Sequence, residues 1–256
     1  MHVEEMIMGT QKLAGAIVNG LQDALSHADL PAIRSVYLSG SYCRGDWLDC
    51  SSDLDVGVIV RDADSSLIER DIQWLQNTLE ELKGTEAFPS HCPNGIDFST
   101  SPESALPKTR EEAAVPAPYS LFSTTMFDLY AHHILLYGDE LDRVLPPCPD
   151  PAKAAGPWLA MLDKRVEAMG PTHPKAMFLA YKAATAAQLH FGEVTLNKYR
   201  ILELYQEHVP DFEGKEFGER VIRNYLGSFY PERPPMEFSG AECAEFVRKL
   251  WKLVRS

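Results

Sequence analysis

The sequence predicts two successive architectures: an α/β (α+β) part with a small mixed sheet over residues 1–145, then an all-α helical bundle over residues 152–256. Three observations carry this. Leu54, Val56, Val58 and Val60 alternate with Asp53, Asp55 and Gly57, which is the period of a strand with one buried face. Leu145-Pro146-Pro147-Cys148-Pro149-Asp150-Pro151 holds four prolines in seven residues and reads as a linker. Beyond it, every patterned segment repeats at three to four residues.

The elements follow in order. A first amphipathic helix runs from about Val3 to Ala28, with Met6, Leu13, Ile17, Leu21 and Leu25 on one face. Pro31 ends that region, and Ser35–Ser39 is a short strand stopped by Gly40. Asp53–Val60 is the second strand. Ser66-Leu67-Ile68-Glu69 has the capping-box pattern of a helix start, and Ile68, Ile72, Leu75, Leu79 and Leu82 continue it until Gly84. A third strand covers Gly95–Thr100. Pro102, Pro107, Pro116 and Pro118 mark a loop, and Leu121–Tyr137 reads as a helix. The later helices are expected at Trp158–Ala168, Lys175–His190, Lys198–His208, Phe217–Phe229 and Ala241–Val254.

The formal net charge is −13. Such a surface repels phosphate backbones, so no nucleic-acid partner is expected, whereas a polycationic ligand is attracted. No run reaches the roughly 18 apolar residues that cross a bilayer, and the start lacks the pattern of a secretory signal. The five scattered cysteines have no zinc-ligand spacing and read as reduced thiols of a cytoplasmic protein. Gly214-Lys215 lacks the glycine pattern of a P-loop. His132-His133 has no ligand partner at metal spacing.

The chemistry concentrates in Leu38-Ser39-Gly40-Ser41-Tyr42-Cys43-Arg44-Gly45-Asp46, continued by Ser52-Asp53-Leu54-Asp55-Val56. Period two puts Asp53 and Asp55 on one strand face, where two carboxylates repel unless a cation lies between them. All-oxygen ligands suit Mg²⁺ or Mn²⁺. The Gly40-Ser41 turn brings an amide and a hydroxyl close to a ligand, and a helix N-terminus after it favours phosphate. A phosphate cradle beside a carboxylate pair describes metal-assisted nucleotidyl transfer from a triphosphate. Arg44 either offsets phosphate charge or pairs with Asp46 or Asp49.

These residues resemble the DNA polymerase β-like nucleotidyltransferase superfamily, whose signature is Gly-Ser, about a dozen residues, then Asp-x-Asp. Asp97 in Gly95-Ile96-Asp97-Phe98-Ser99 matches the third carboxylate of that superfamily. Two further passages resemble the aminoglycoside adenylyltransferases of the streptomycin/spectinomycin group. One is His133–Leu141 with Leu145-Pro146-Pro147. The other is Phe191-Gly192-Glu193-Val194-Thr195-Leu196-Asn197-Lys198, with a spacing one residue longer than in that group. The resemblance implies two Mg²⁺ ions about 3.5–4 Å apart on Asp53 and Asp55, with Asp97 as third ligand or general base. It implies ATP as co-substrate, with Gly40, Ser41, Arg44 and Lys198 on its phosphates. Lys198 otherwise reads as an ordinary residue at a helix N-terminus. The acceptor implied is a hydroxyl of a small cationic molecule lodged between the two parts, and with it antibiotic resistance, in a monomer or homodimer. The superfamily also holds transferases that modify a partner protein and synthases of cyclic nucleotide messengers. A nucleotide-binding module without catalysis is the remaining alternative.

Overall fold

The computed structural model describes residues 9–47, 52–83, 95–115, 125–169, 175–193, 195–227 and 238–256. Met6, Asp49, Gly84, Pro116 and Pro118, which figured in the expectations above, lie outside them, as do Cys50 and Cys92 of the five cysteines. The chain divides into two units, Met1–Pro107 with Asp128–Pro146, and Lys108–Phe127 with Pro147–Ser256. No helix among the described residues is long and apolar enough to cross a membrane.

The first unit opens with α1 (Gly9–Ser26), β1 (Ile33–Ser39) and the one-turn helix α2 (Gly40–Arg44). β2 (Leu54–Val60), α3 (Ser65–Lys83) and β3 (Ile96–Pro102) follow, and a fourth strand completes a sheet in the order β3-β2-β1-β4. β1 runs antiparallel to β2, and β2 runs parallel to β3, joined through α3 as a parallel pair requires. Val36 and Leu38 on β1, with Leu54, Val56 and Val58 on β2, face one side of the sheet. Ile17, Leu21 and Leu25 of α1 and Leu75 and Leu79 of α3 close the core on that side. The alternation therefore leaves Ser39, Asp55 and Asp97 on the opposite face.

Two expectations fail here. The capping box at Ser66 is replaced by Asp64, whose carboxylate accepts from the Ser66 amide at 2.9 Å and from its hydroxyl at 2.5 Å. The Asp64 carbonyl accepts from the amides of Leu67 and Ile68, so the helix starts two residues earlier than a cap at Ser66 implies. The helix expected to run to Tyr137 stops at Ala131 (α5, Thr125–Ala131), and Ile134–Gly138 forms β4. A short apolar run fits either structure by pattern alone. Antiparallel pairing with β1 decides it, from Ser35 opposite Gly138 to Leu38 opposite Ile134, and covers an edge that would otherwise leave its backbone unpaired.

The second unit contains a short helix, α4 (Arg110–Ala113), where a loop was expected. Among the described residues five longer helices follow: α6 (Pro151–Met169), α7 (Ala176–Phe191), α8 (Ile201–His208), α9 (Lys215–Gly227) and α10 (Gly240–Arg255). α6 starts within the expected linker, seven residues before the expected Trp158 start, and runs through Pro157. Asp150 caps it, accepting from the Ala152 amide at 3.0 Å, with Pro151 in the first helical position. α7 is the central element. Ala180, Ala183, Ala184, Ala186 and Ala187 are all buried, and these small side chains let α6, α8, α9 and α10 pack on several sides of it.

Candidate active site

The site begins where β1 ends. Ser39, Asp55 and Asp97 are cross-strand partners on three adjacent strands, because Ser39 pairs with Asp55 and Asp55 pairs with Asp97. Asp53 stands two residues before Asp55 and therefore on the same face. One oxygen from each of Asp53, Asp55 and Asp97 lies within 4.8 Å of the other two. Asp53 and Asp55 are partly buried and Asp97, on the edge strand, is exposed. An all-carboxylate oxygen set this close fits a hard divalent cation, since like charges so placed repel without one.

Gly40 is fitted to this cluster by its missing side chain. Its φ is +73°, and a Cβ there would overlap the Asp55 carboxylate. The backbone of the Gly-Ser turn thus lies directly on a member of the carboxylate group. Ser41 follows in α2 with its side chain buried. The carbonyl of Ser41 accepts the amides of Gly45 and Asp46, which closes the segment on itself. Arg44 donates its Nε–H to both Asp46 oxygens at 3.2 Å. Of the two readings the sequence left open for Arg44, pairing with Asp46 is present in the structure.

Gly57, two residues along β2 from Asp55 and on the same face, entered the sequence reading only as part of the strand alternation. The Tyr37 ring occupies the space of its absent side chain. Burial pushes the Tyr37 hydroxyl well above the usual phenol range. A glycine inside an apolar strand was the available signal, because it marks close approach by a neighbour.

Lys198 belongs to the second unit. It stands in the turn before α8, and the helix begins three residues later than the expected Lys198 start. Asn197 shapes that turn: its side-chain oxygen accepts the Tyr199 amide at 2.9 Å, and its carbonyl accepts the amides of Arg200 and Ile201. Buried Gln188 braces the same turn by donating to the Glu193 carbonyl at 2.7 Å, and Glu193 pairs with Arg200 at 3.2 Å.

Fold and site have the form of a nucleotidyltransferase domain. Residues 18–87 match the family model of the nucleotidyltransferase domain, a span that contains Gly40, Ser41, Asp53 and Asp55. The matched domain is of the DNA polymerase β-like kind. It shares its fold with spectinomycin adenyltransferase AAD(9) from Enterococcus faecialis, solved with ATP and spectinomycin. That alignment has a TM-score of 0.57 and 13% identity, covering 96% of this chain and 99% of the other. A c-UMP-AMP synthase, CdnE from Rhodothermus marinus, aligns at 13% identity over 94% of this chain and 90% of its own, with a TM-score of 0.27. No curated protein matches the sequence.

Proposed function

We propose that the chain transfers a nucleoside monophosphate, AMP from ATP, to a hydroxyl of a small cationic molecule of the aminoglycoside kind. One observation carries the chemistry: three carboxylates converge at the end of the sheet against the backbone of a Gly-Ser turn. The acceptor class is supported by the fold shared with an adenyltransferase solved with ATP and spectinomycin, and by a net charge of −13.

In this reading Asp53 and Asp55 hold divalent cations, two Mg²⁺ ions, with Asp97 alongside. Bound there, divalent cations would supply positive charge for the pyrophosphate leaving group and for the acceptor hydroxyl. The remaining work falls to the chain's own groups. The Gly40 amide and Ser41 hydroxyl donate to phosphate oxygens, an arrangement that needs no side chain at Gly40. Arg44 and Lys198 add positive charge for the triphosphate. Asp97, the exposed member, either completes the ligand set or takes the proton from the acceptor hydroxyl. We place the reaction in the cytoplasm, where triphosphate is supplied.

Pyrophosphate release from ATP and Mg²⁺ against an aminoglycoside panel tests the proposal. Acceptor-dependent release is expected, and Asp53→Asn or Asp55→Asn is expected to remove it while melting stays cooperative. Unchanged turnover in both variants would sink the site. A flat response across the panel drops the acceptor class only. Oligonucleotide formed without acceptor redirects the assignment to messenger synthesis.

A further inference from the structure

We infer that Asp46 is a positioning residue for triphosphate binding, acting through Arg44. The inference rests on the proposed reading of the Gly40–Ser41 turn as a phosphate site. The Asp46 side chain is 0% exposed and that of Arg44 8%. A carboxylate removed from water needs a partner, and here both oxygens share one guanidinium N–H, each at 3.2 Å. The backbone of Asp46 is engaged as well. Its amide reaches the Ser41 carbonyl at 3.2 Å, beside the amide of Gly45, whose left-handed φ of 75° turns the chain back. Asp46 therefore grips the segment from Gly40 to Asp46 twice. Its main chain fastens the residue that carries the proposed phosphate hydroxyl, and its side chain fixes the direction of the arginine three residues further on. A guanidinium held by its Nε edge is oriented in a way that an ammonium is not. Within this segment Gly40 lies against the Asp55 carboxylate, four residues before Arg44, and the role inferred for Asp46 is on the triphosphate and not on the metal-facing carboxylates.

Two titrations of the full chain separate this role from simple structural support: a non-hydrolysable ATP analogue with Mg²⁺, and Mn²⁺ alone. Asp46→Asn is expected to weaken the analogue about tenfold, the usual effect of losing a residue that orients a ligand-binding group, with Mn²⁺ affinity within about twofold. Arg44→Lys keeps a charge near Asp46 but loses the two-oxygen grip, and is expected to weaken the analogue similarly. The double variant is expected to bind no more weakly than Arg44→Lys alone. Equal weakening of analogue and Mn²⁺ overturns the inference, as does additive weakening in the double variant. Should Asp46→Asn fail to melt cooperatively, unchanged analogue affinity in Arg44→Lys overturns it. Wild-type protein that binds no analogue overturns the phosphate-site reading itself. Wild-type binding with undiminished affinity in Asp46→Asn overturns only the positioning role.

Discussion

Gly40 and Asp55 show how much a single residue can fix. The glycine adopts a left-handed backbone and leaves no room for a methyl group beside the carboxylate. Gly40→Ala meets both obstacles. The backbone term alone is about 1–2 kcal/mol, which lowers the melting temperature of a chain this size by several degrees. The larger effect is expected on turnover, because a Cβ at this point displaces the Asp55 carboxylate from its neighbours. Transfer activity is expected to fall by about 100-fold or more, well beyond the loss in stability. Parallel melting and pyrophosphate-release measurements check this, and losses of equal size would show that the glycine serves the fold alone. Asp53, Asp55 and Gly40 were legible in the sequence because strand period and glycine spacing are local. The Tyr37–Gly57 contact and the Arg44–Asp46 choice were not. The first depends on cross-strand register, and the second on where the turn after α2 places the Asp46 carboxylate.

At the scale of elements, the caps distinguish what local pattern reveals from what it hides. α10 begins with a reciprocal cap: the Glu242 amide donates to the Ser239 hydroxyl at 3.2 Å, while the Glu242 carboxylate accepts from the Ser239 amide at 3.2 Å and from its hydroxyl at 2.7 Å. Ser239→Ala is expected to cost about 1 kcal/mol, a fall of roughly 2–4 °C in melting temperature. The Ser239 hydroxyl, then its amide, hold the Glu242 carboxyl below its ordinary value. A lowered carboxyl stabilises the fold above its ordinary titration range and loses that contribution as pH falls through the folded value. The melting difference between wild type and Ser239→Ala is therefore expected to narrow in acid, and a difference constant with pH would contradict the cap. The α3 start was misread because Ser66 and Glu69 satisfy the same pattern, whereas Asp64 reaches the amides first. β4 was misread for a different reason. Its identity is settled by the open edge of β1, which no window of sequence around Ile134 contains.

Over the whole molecule, an α/β part followed by helices was legible because the change in hydrophobic period is large and persists for a hundred residues. The net charge is a property of the same scale, and it bears on the two proposed substrates with opposite signs. A polycationic acceptor approaching a chain of charge −13 is drawn in from beyond contact distance, while a free triphosphate is repelled until metal and basic side chains offset it. Salt acts on both through screening, with a Debye length of about 10 Å at 0.1 M falling to about 3 Å at 1 M. Raising salt from about 50 to 500 mM at fixed Mg²⁺ is therefore expected to raise KM for the acceptor severalfold. KM for the triphosphate is expected to stay level or fall, because the repulsion it overcomes is weakened. A neutral acceptor of the same size would show neither trend. If both KM values rise together, the salt is disturbing the carboxylate site itself. If the acceptor KM is indifferent to salt, the acidic surface plays no part in choosing the substrate, and the cationic class loses the support it draws from charge.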